Sequence, residues 1–131
     1  MPIGELEPQN EFRAFTGAKD GPVKIIGAGF DTSEACSLAC SHCYRPNSEG
    51  ESGYMVPEIA SKTMHKLREA GVSEIYLLGA EPTLNPELPQ ILEEAVNLGF
   101  KFVLLASHGL RFADKTYARR VLIPGVSLLI H

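Results

Sequence analysis

The chain has 131 residues, enough for one ordinary domain and too few for two. Its 44% hydrophobic content allows a buried core, and a net charge of -4 argues against nucleic acid as a partner, because phosphate binding needs a basic face. No early apolar run reads as a signal peptide and no apolar stretch is long enough to span a bilayer, so the expectation is a cytoplasmic protein without a membrane partner.

Residues 1–22 mix Pro, Gly and charge without periodicity and read as an irregular leader. Val23-Lys24-Ile25-Ile26 reads as a first strand, followed by a loop holding all three cysteines. Asn47 to Gly53 is polar and Gly-rich, which predicts an exposed loop. A helix is expected from Pro57, with Glu58 at the positive end of its dipole, Ile59, Met64 and Leu67 on one face, and Gly71 as its stop. Glu74 to Leu78 reads as a short buried strand. The next helix is capped by Asn85, started by Pro86 and Glu87 and ended by Gly99. Its Leu88, Ile91, Leu92, Ala95 and Val96 fall on one buried stripe. A strand over Lys101 to Ala106, a helix over about 114–122 and a strand over Val126 to Ile130 complete the chain.

The order β-loop-α-β-α-β-α-β predicts an α/β fold, a parallel sheet with helices on its outer face. Ligands of such sheets gather at the C-terminal ends of the strands. The cysteine loop, Gly79-Ala80-Glu81-Pro82 and Ser107-His108-Gly109 all follow strands, so the fold brings three unusual segments to one end.

Cys36, Cys40 and Cys43 are spaced four and then three residues apart. An odd number of thiols packed this closely is a poor disulfide framework, whereas it can wrap one metal centre from a single loop. Thiolate sulfur is the usual protein ligand of iron in Fe–S clusters, and three thiolates on a four-iron cluster leave one iron open. The competing reading is a zinc knot with His42 or a distant residue as fourth ligand. Structural zinc usually draws on two separated ligand pairs, and no second pair is present.

The spacing C-x3-C-x2-C followed by Tyr44 resembles the signature of the radical S-adenosylmethionine (SAM) superfamily. Leu77 to Leu88 resembles that family's G-G-E-P-x-L-x-P-x-L stretch, with Ala80 in place of the second glycine. If that position needs positive φ, alanine would strain it. The resemblance implies a [4Fe-4S] cluster on Cys36, Cys40 and Cys43 whose open iron chelates SAM. It implies that the reduced cluster cleaves SAM to a 5′-deoxyadenosyl radical, which abstracts hydrogen from a substrate. Gly79, Ala80, Glu81 and Pro82 would bind the SAM methionine amino group; taken alone, this turn favours a plain strand-to-helix connection with a solvated Glu81. Ser107, with His108, sits where family members carry Thr-Asn-Gly, near the expected ribose or methionine carboxylate; a satisfied turn is the plainer alternative. His42 would border the adenine, with Tyr44 beside the cluster; simple packing is at least as good a reading of both. His131 closes a fourth strand similar to the family's V-S-L-S-x-H/D, with Leu129 at a commonly polar position.

The resemblance covers residues 23–131 and implies the N-terminal part of a partial (β/α)6 TIM-like barrel, apparently truncated after the fourth strand. The implied partners are SAM, an unknown substrate (small molecule or peptide) and an electron donor such as flavodoxin or ferredoxin. The alternatives are a non-enzymatic Cys-rich metal-binding module and an inactive fragment.

Overall fold

The computed structural model describes residues 24–38, 40, 41, 43 and 53–131. The leader 1–22, Val23, His42, Tyr44 and the loop 47–52 lie outside the described residues. The elements run β1 (Gly27–Asp31), α1 (Pro57–Glu69), β2 (Glu74–Leu78), α2 (Leu88–Asn97), β3 (Phe102–Ser107), α3 (Lys115–Val121) and β4 (Val126–Ile130). One-turn 3-10 helices at Pro82–Leu84 and Leu110–Ala113 precede α2 and α3.

The four strands form one parallel sheet in the order β1-β2-β3-β4. Each strand is added on the same side as the last. Right-handed crossovers that all advance in one direction place their helices on one face, which is barrel-type progression rather than a doubly wound sheet. Strand alternation matches this: Ile75, Leu77, Val103 and Leu105 are buried in the core with Met64, Leu88, Ile91, Leu92 and Val121. Ala28, Phe30, Val126 and Leu128 pack against that core from the edge strands. The opposite face carries Gly29, Tyr76, Leu104 and Ser127 in one row, then Leu78, Ala106 and Leu129 nearer the C-terminal ends.

β2 and β4 fall where the apolar runs place them. β1 does not: it starts at Gly27, while Lys24 to Ile26 are irregular and Ile25 and Ile26 are exposed. The physical reason is Tyr76 on the neighbouring strand. A Cβ at Gly27 would lie 2.9 Å from its ring, so glycine makes room for the tyrosine although it is a poor strand former.

α1 begins at Pro57, carries Glu58 in its first turn and Lys66 and Arg68 in its last, and Gly71 at φ +88° follows it. Its buried face is Ala60, Met64 and Leu67 rather than one including Ile59, which is 52% exposed. Positions 60, 64 and 67 keep i, i+4, i+7 spacing, and 59 does not. α2 begins at Leu88, because residues 82–87 first form a one-turn 3-10 helix and then a turn. Leu88, Ile91, Leu92 and Ala95 are fully buried. Complete burial of each large side chain is worth about 1.5–3 kcal/mol. α3 is capped by Asp114, whose Oδ1 accepts from Thr116 N at 2.9 Å and Tyr117 N at 3.3 Å.

Candidate functional site

The cysteine loop leaves β1 through a short neck. Thr32 N donates to Leu78 O (3.0 Å), Ala80 N to Ser33 O (2.9 Å) and Glu81 N to Ala35 O (2.8 Å), so the loop's first residues extend alongside the end of β2. On its return side, Glu34 N donates to Gly53 O and Met55 N to Thr32 O, both at 3.0 Å, and Ser33 bridges Tyr54 antiparallel. Gly53, expected in an open loop, is thus tied to Glu34.

Gly79 makes the close approach possible. Its φ is +126°, and a Cβ there would lie 2.6 Å from Ser33 O. Side chains are disfavoured on both counts. No non-glycine residue among those described has positive φ, so Ala80 carries none of the strain considered for it.

Beyond the neck, Cys36, Cys40 and Cys43 line a cavity of about 420 Å³ together with Leu38, Leu78, Gly79, Ala80, Ala106, His108, Leu129 and His131. Its floor is the apolar row Leu78, Ala106 and Leu129 on the helix-free face of the sheet, and its walls are loops at the C-terminal ends of the strands. Cys36 is half-buried and its Sγ accepts Leu38 N at 3.4 Å; Cys40 and Cys43 are exposed, and Cys43 N donates to Cys40 O at 3.1 Å. Among the described residues no three His, Cys, Asp or Glu side chains converge on a single metal point. The three thiols share the cavity without being drawn together around one centre. The donor set itself fits a cluster: three sulfurs from one short loop, one already accepting an amide hydrogen bond.

Glu81 has no exposed surface and does not line the cavity. Its Oε1 accepts from Thr83 Oγ1 (2.6 Å), Thr83 N (3.3 Å) and Ser107 Oγ (2.7 Å), and its Oε2 from His108 N (2.9 Å). His108 Nε2 lies 3.4 Å from the same Oε2. Ser107 is equally buried, and its Oγ also accepts Gly109 N at 3.0 Å. Pro82 is buried as the first residue of the 3-10 turn. Glu81, Ser107 and Pro82 therefore form the wall behind the cavity, whereas Gly79, Ala80 and His131 form its surface. His131 N donates to Ser107 O at 3.2 Å, continuing the β3–β4 ladder to the cavity rim.

His108 adds a contact that sequence reading did not find. Its Nδ1 accepts Leu110 N at 3.2 Å, which leaves the proton of the neutral ring on Nε2, between Glu81 Oε2 and Ser37 Oγ (3.2 Å). One ring thus connects the β3 loop, the buried carboxylate and the residue beside Cys36. The turn before α2 is held from the other side, because Thr83 O accepts both Arg111 Nη1 and Tyr117 Oη, the latter at 3.2 Å. The Arg111 guanidinium lies 4.2 Å over the Tyr117 ring. Burial raises the Tyr117 pKa, and the Arg111 charge opposes the rise.

Known proteins share sequence and fold with this chain. GTP 3′,8-cyclase from Tolumonas auensis is 31% identical over 88 residues, covering 63% of this chain and 26% of the relative. An S-adenosylmethionine-dependent nucleotide dehydratase from a Thermoplasmatales archaeon is 35% identical over 91 residues, 70% of this chain and 32% of its own length. Streptococcus suis SuiB, solved bound to S-adenosylmethionine, superposes with a TM-score of 0.69 at 14% identity over 92% of this chain and 26% of that one. That likeness speaks for the fold, and the chain spans about a quarter to a third of the length of these proteins. No helix among the described residues is long and apolar enough to cross a membrane. A family profile described as the Radical SAM superfamily matches residues 31–123, from the last residue of β1 past the end of α3, and so takes in the cysteine loop, the Gly79–Pro82 turn and the loop after β3: the chain belongs to the radical SAM superfamily.

Proposed function

We propose that this chain forms the cluster-bearing part of a radical SAM catalytic core, residues 23–131, in which Cys36, Cys40 and Cys43 hold a [4Fe-4S] cluster and SAM occupies the adjoining cavity. The observation that carries the reading is that all three thiols line one cavity with the Gly79-Ala80 turn, above the C-terminal ends of β2, β3 and β4. When bound, the cluster and SAM supply an electron and, by reductive cleavage of the sulfonium, a 5′-deoxyadenosyl radical for hydrogen abstraction.

The chain's own residues supply placement. Gly79 and Ala80 bring backbone within reach of the methionine end of SAM, with Glu81, Pro82 and Ser107 fixing that turn from behind. The apolar floor of Leu78, Ala106 and Leu129 keeps water from one side of the cavity, which suits a reactive carbon radical. His131 offers a polar group at the rim, and His42, as the family resemblance implies, would border the adenine of SAM. The substrate is a small molecule or peptide, the electron donor a flavodoxin or ferredoxin, and the setting the cytoplasm.

The test is anaerobic reconstitution with iron and sulfide, followed by SAM addition. One four-iron cluster per chain is expected, with loss of iron in each of Cys36→Ala, Cys40→Ala and Cys43→Ala. Perturbation of the reduced cluster's EPR spectrum by SAM would follow from chelation. Stoichiometric zinc without iron uptake in anaerobically purified protein would replace this reading with the non-enzymatic metal-binding one.

A further inference from the structure

Asn85 lies at the start of the turn into α2, far in sequence from the cysteines, yet its side chain reaches both stems of their loop. Nδ2 donates to Thr32 O at 2.8 Å on the outgoing stem and to Met55 O at 2.9 Å on the returning stem. Oδ1 accepts Glu87 N at 2.9 Å, and the residue has no exposed surface. The amide orientation is determined by its partners: reversed, it would set Oδ1 against two carbonyl oxygens and Nδ2 against an N–H. Both amide hydrogens are thus committed to the place where the loop's two ends meet.

The other bonds across the neck are local to it: Met55 N to Thr32 O, Glu34 N to Gly53 O and Gly53 N to Glu34 Oε2 at 3.3 Å. Asn85 joins both stems to the β2–α2 turn, which also carries Gly79 and Glu81. We propose that Asn85 is a positioning residue for the cysteine loop: it locks the loop's neck to the turn that forms the cavity wall, and so sets where the three thiols stand relative to Gly79 and Ala80. The link to the cluster rests on the reading that Cys36, Cys40 and Cys43 bind one; the clamp itself does not.

Asn85→Asp is the sharpest test, because it keeps the size and the Oδ1 acceptor for Glu87 N while removing both donors. Asn85→Ala serves as a second variant, and Ile91→Ala, in the α2 core and outside the neck's hydrogen bonds, as a control for general destabilisation. Hydrogen exchange of the apo protein should show the Glu34 and Met55 amides exchanging roughly tenfold faster or more in both Asn85 variants, for loss of two buried hydrogen bonds, with β2 and β3 amides still protected. The Ile91→Ala control should leave the neck amides at their parental ranking relative to the sheet. After reconstitution with iron and sulfide, the EPR spectrum of the reduced cluster should shift or broaden in the Asn85 variants and stay parental in the control.

Parental neck exchange in Asn85→Asp would overturn the clamp. So would loss of the whole sheet in both variants, which would make Asn85 a determinant of folding rather than of loop position. A parent chain that takes up no iron would defeat the cluster reading, while the exchange measurement would still decide the clamp.

Discussion

Glu81 shows how a residue can be legible in sequence while its surroundings are not. The Gly-x-Glu-Pro turn singles it out, and the readings available from the sequence were a ligand for an ammonium group or a solvated side chain. In the structure it is fully buried and accepts four hydrogen bonds from Thr83, Ser107 and His108. Those donors come from the next turn and from the end of β3, a long-range convergence that spacing does not encode. Glu81→Gln is isosteric but brings two N–H groups. Placed at Oε2, the amide faces His108 N–H; placed at Oε1, it faces Thr83 N–H. Either way a buried donor loses its acceptor, at a cost of about 1–3 kcal/mol. The variant should therefore unfold at lower urea concentration than the parent with an unchanged m-value. An unchanged midpoint would show that the carboxylate is not what joins the two strand ends.

Among the elements, α2 and β1 mark the two extremes of legibility. The α2 stripe is readable because Leu88, Ile91, Leu92 and Ala95 repeat at helical spacing, and all four are fully buried against the sheet. Ile91→Ala removes buried methylenes in the middle of that contact and should cost about 2–5 kcal/mol, read from chemical denaturation. A loss below 1 kcal/mol would mean the helix packs loosely there. β1 is unreadable by the same criterion, since Gly27, Ala28 and Gly29 offer neither β-branched residues nor alternation. Its glycines answer to Tyr76 and Leu78 across the ladder, so the cause lies in a strand some 47 residues away. The start of α2 shifted for a related reason. Asn85 was expected only as a cap; it does accept Glu87 N, but its two donors are drawn to Thr32 and Met55. A helix cap and a long-range clamp share the same residue type, and sequence shows only the first.

At the scale of the sheet, among the described residues nothing pairs outside β1 or beyond β4. The β4 edge is the more hazardous of the two. His131 N donates inward to Ser107 O, so by strand alternation the N–H groups of Leu128 and Ile130 point away from β3. Leu129 and Ile130 are both at least half exposed, and β4 carries no charged residue. An uncharged edge with outward donors and apolar side chains is a template for intermolecular pairing. The 131-residue chain should accordingly self-associate, with a weight-average mass in sedimentation velocity that rises with concentration. Ile130→Lys places a charge on that edge without touching the cavity lining and should move the onset of association to higher concentration, roughly tenfold or more for about 1.4 kcal/mol of lost contact. Cluster content after reconstitution should stay parental in this variant, because Ile130 lies on the helix side of β4 and Leu129 and His131 on the cavity side. If the parent stays monomeric throughout, or if Ile130→Lys associates as the parent does, the β4 edge is not the driving surface.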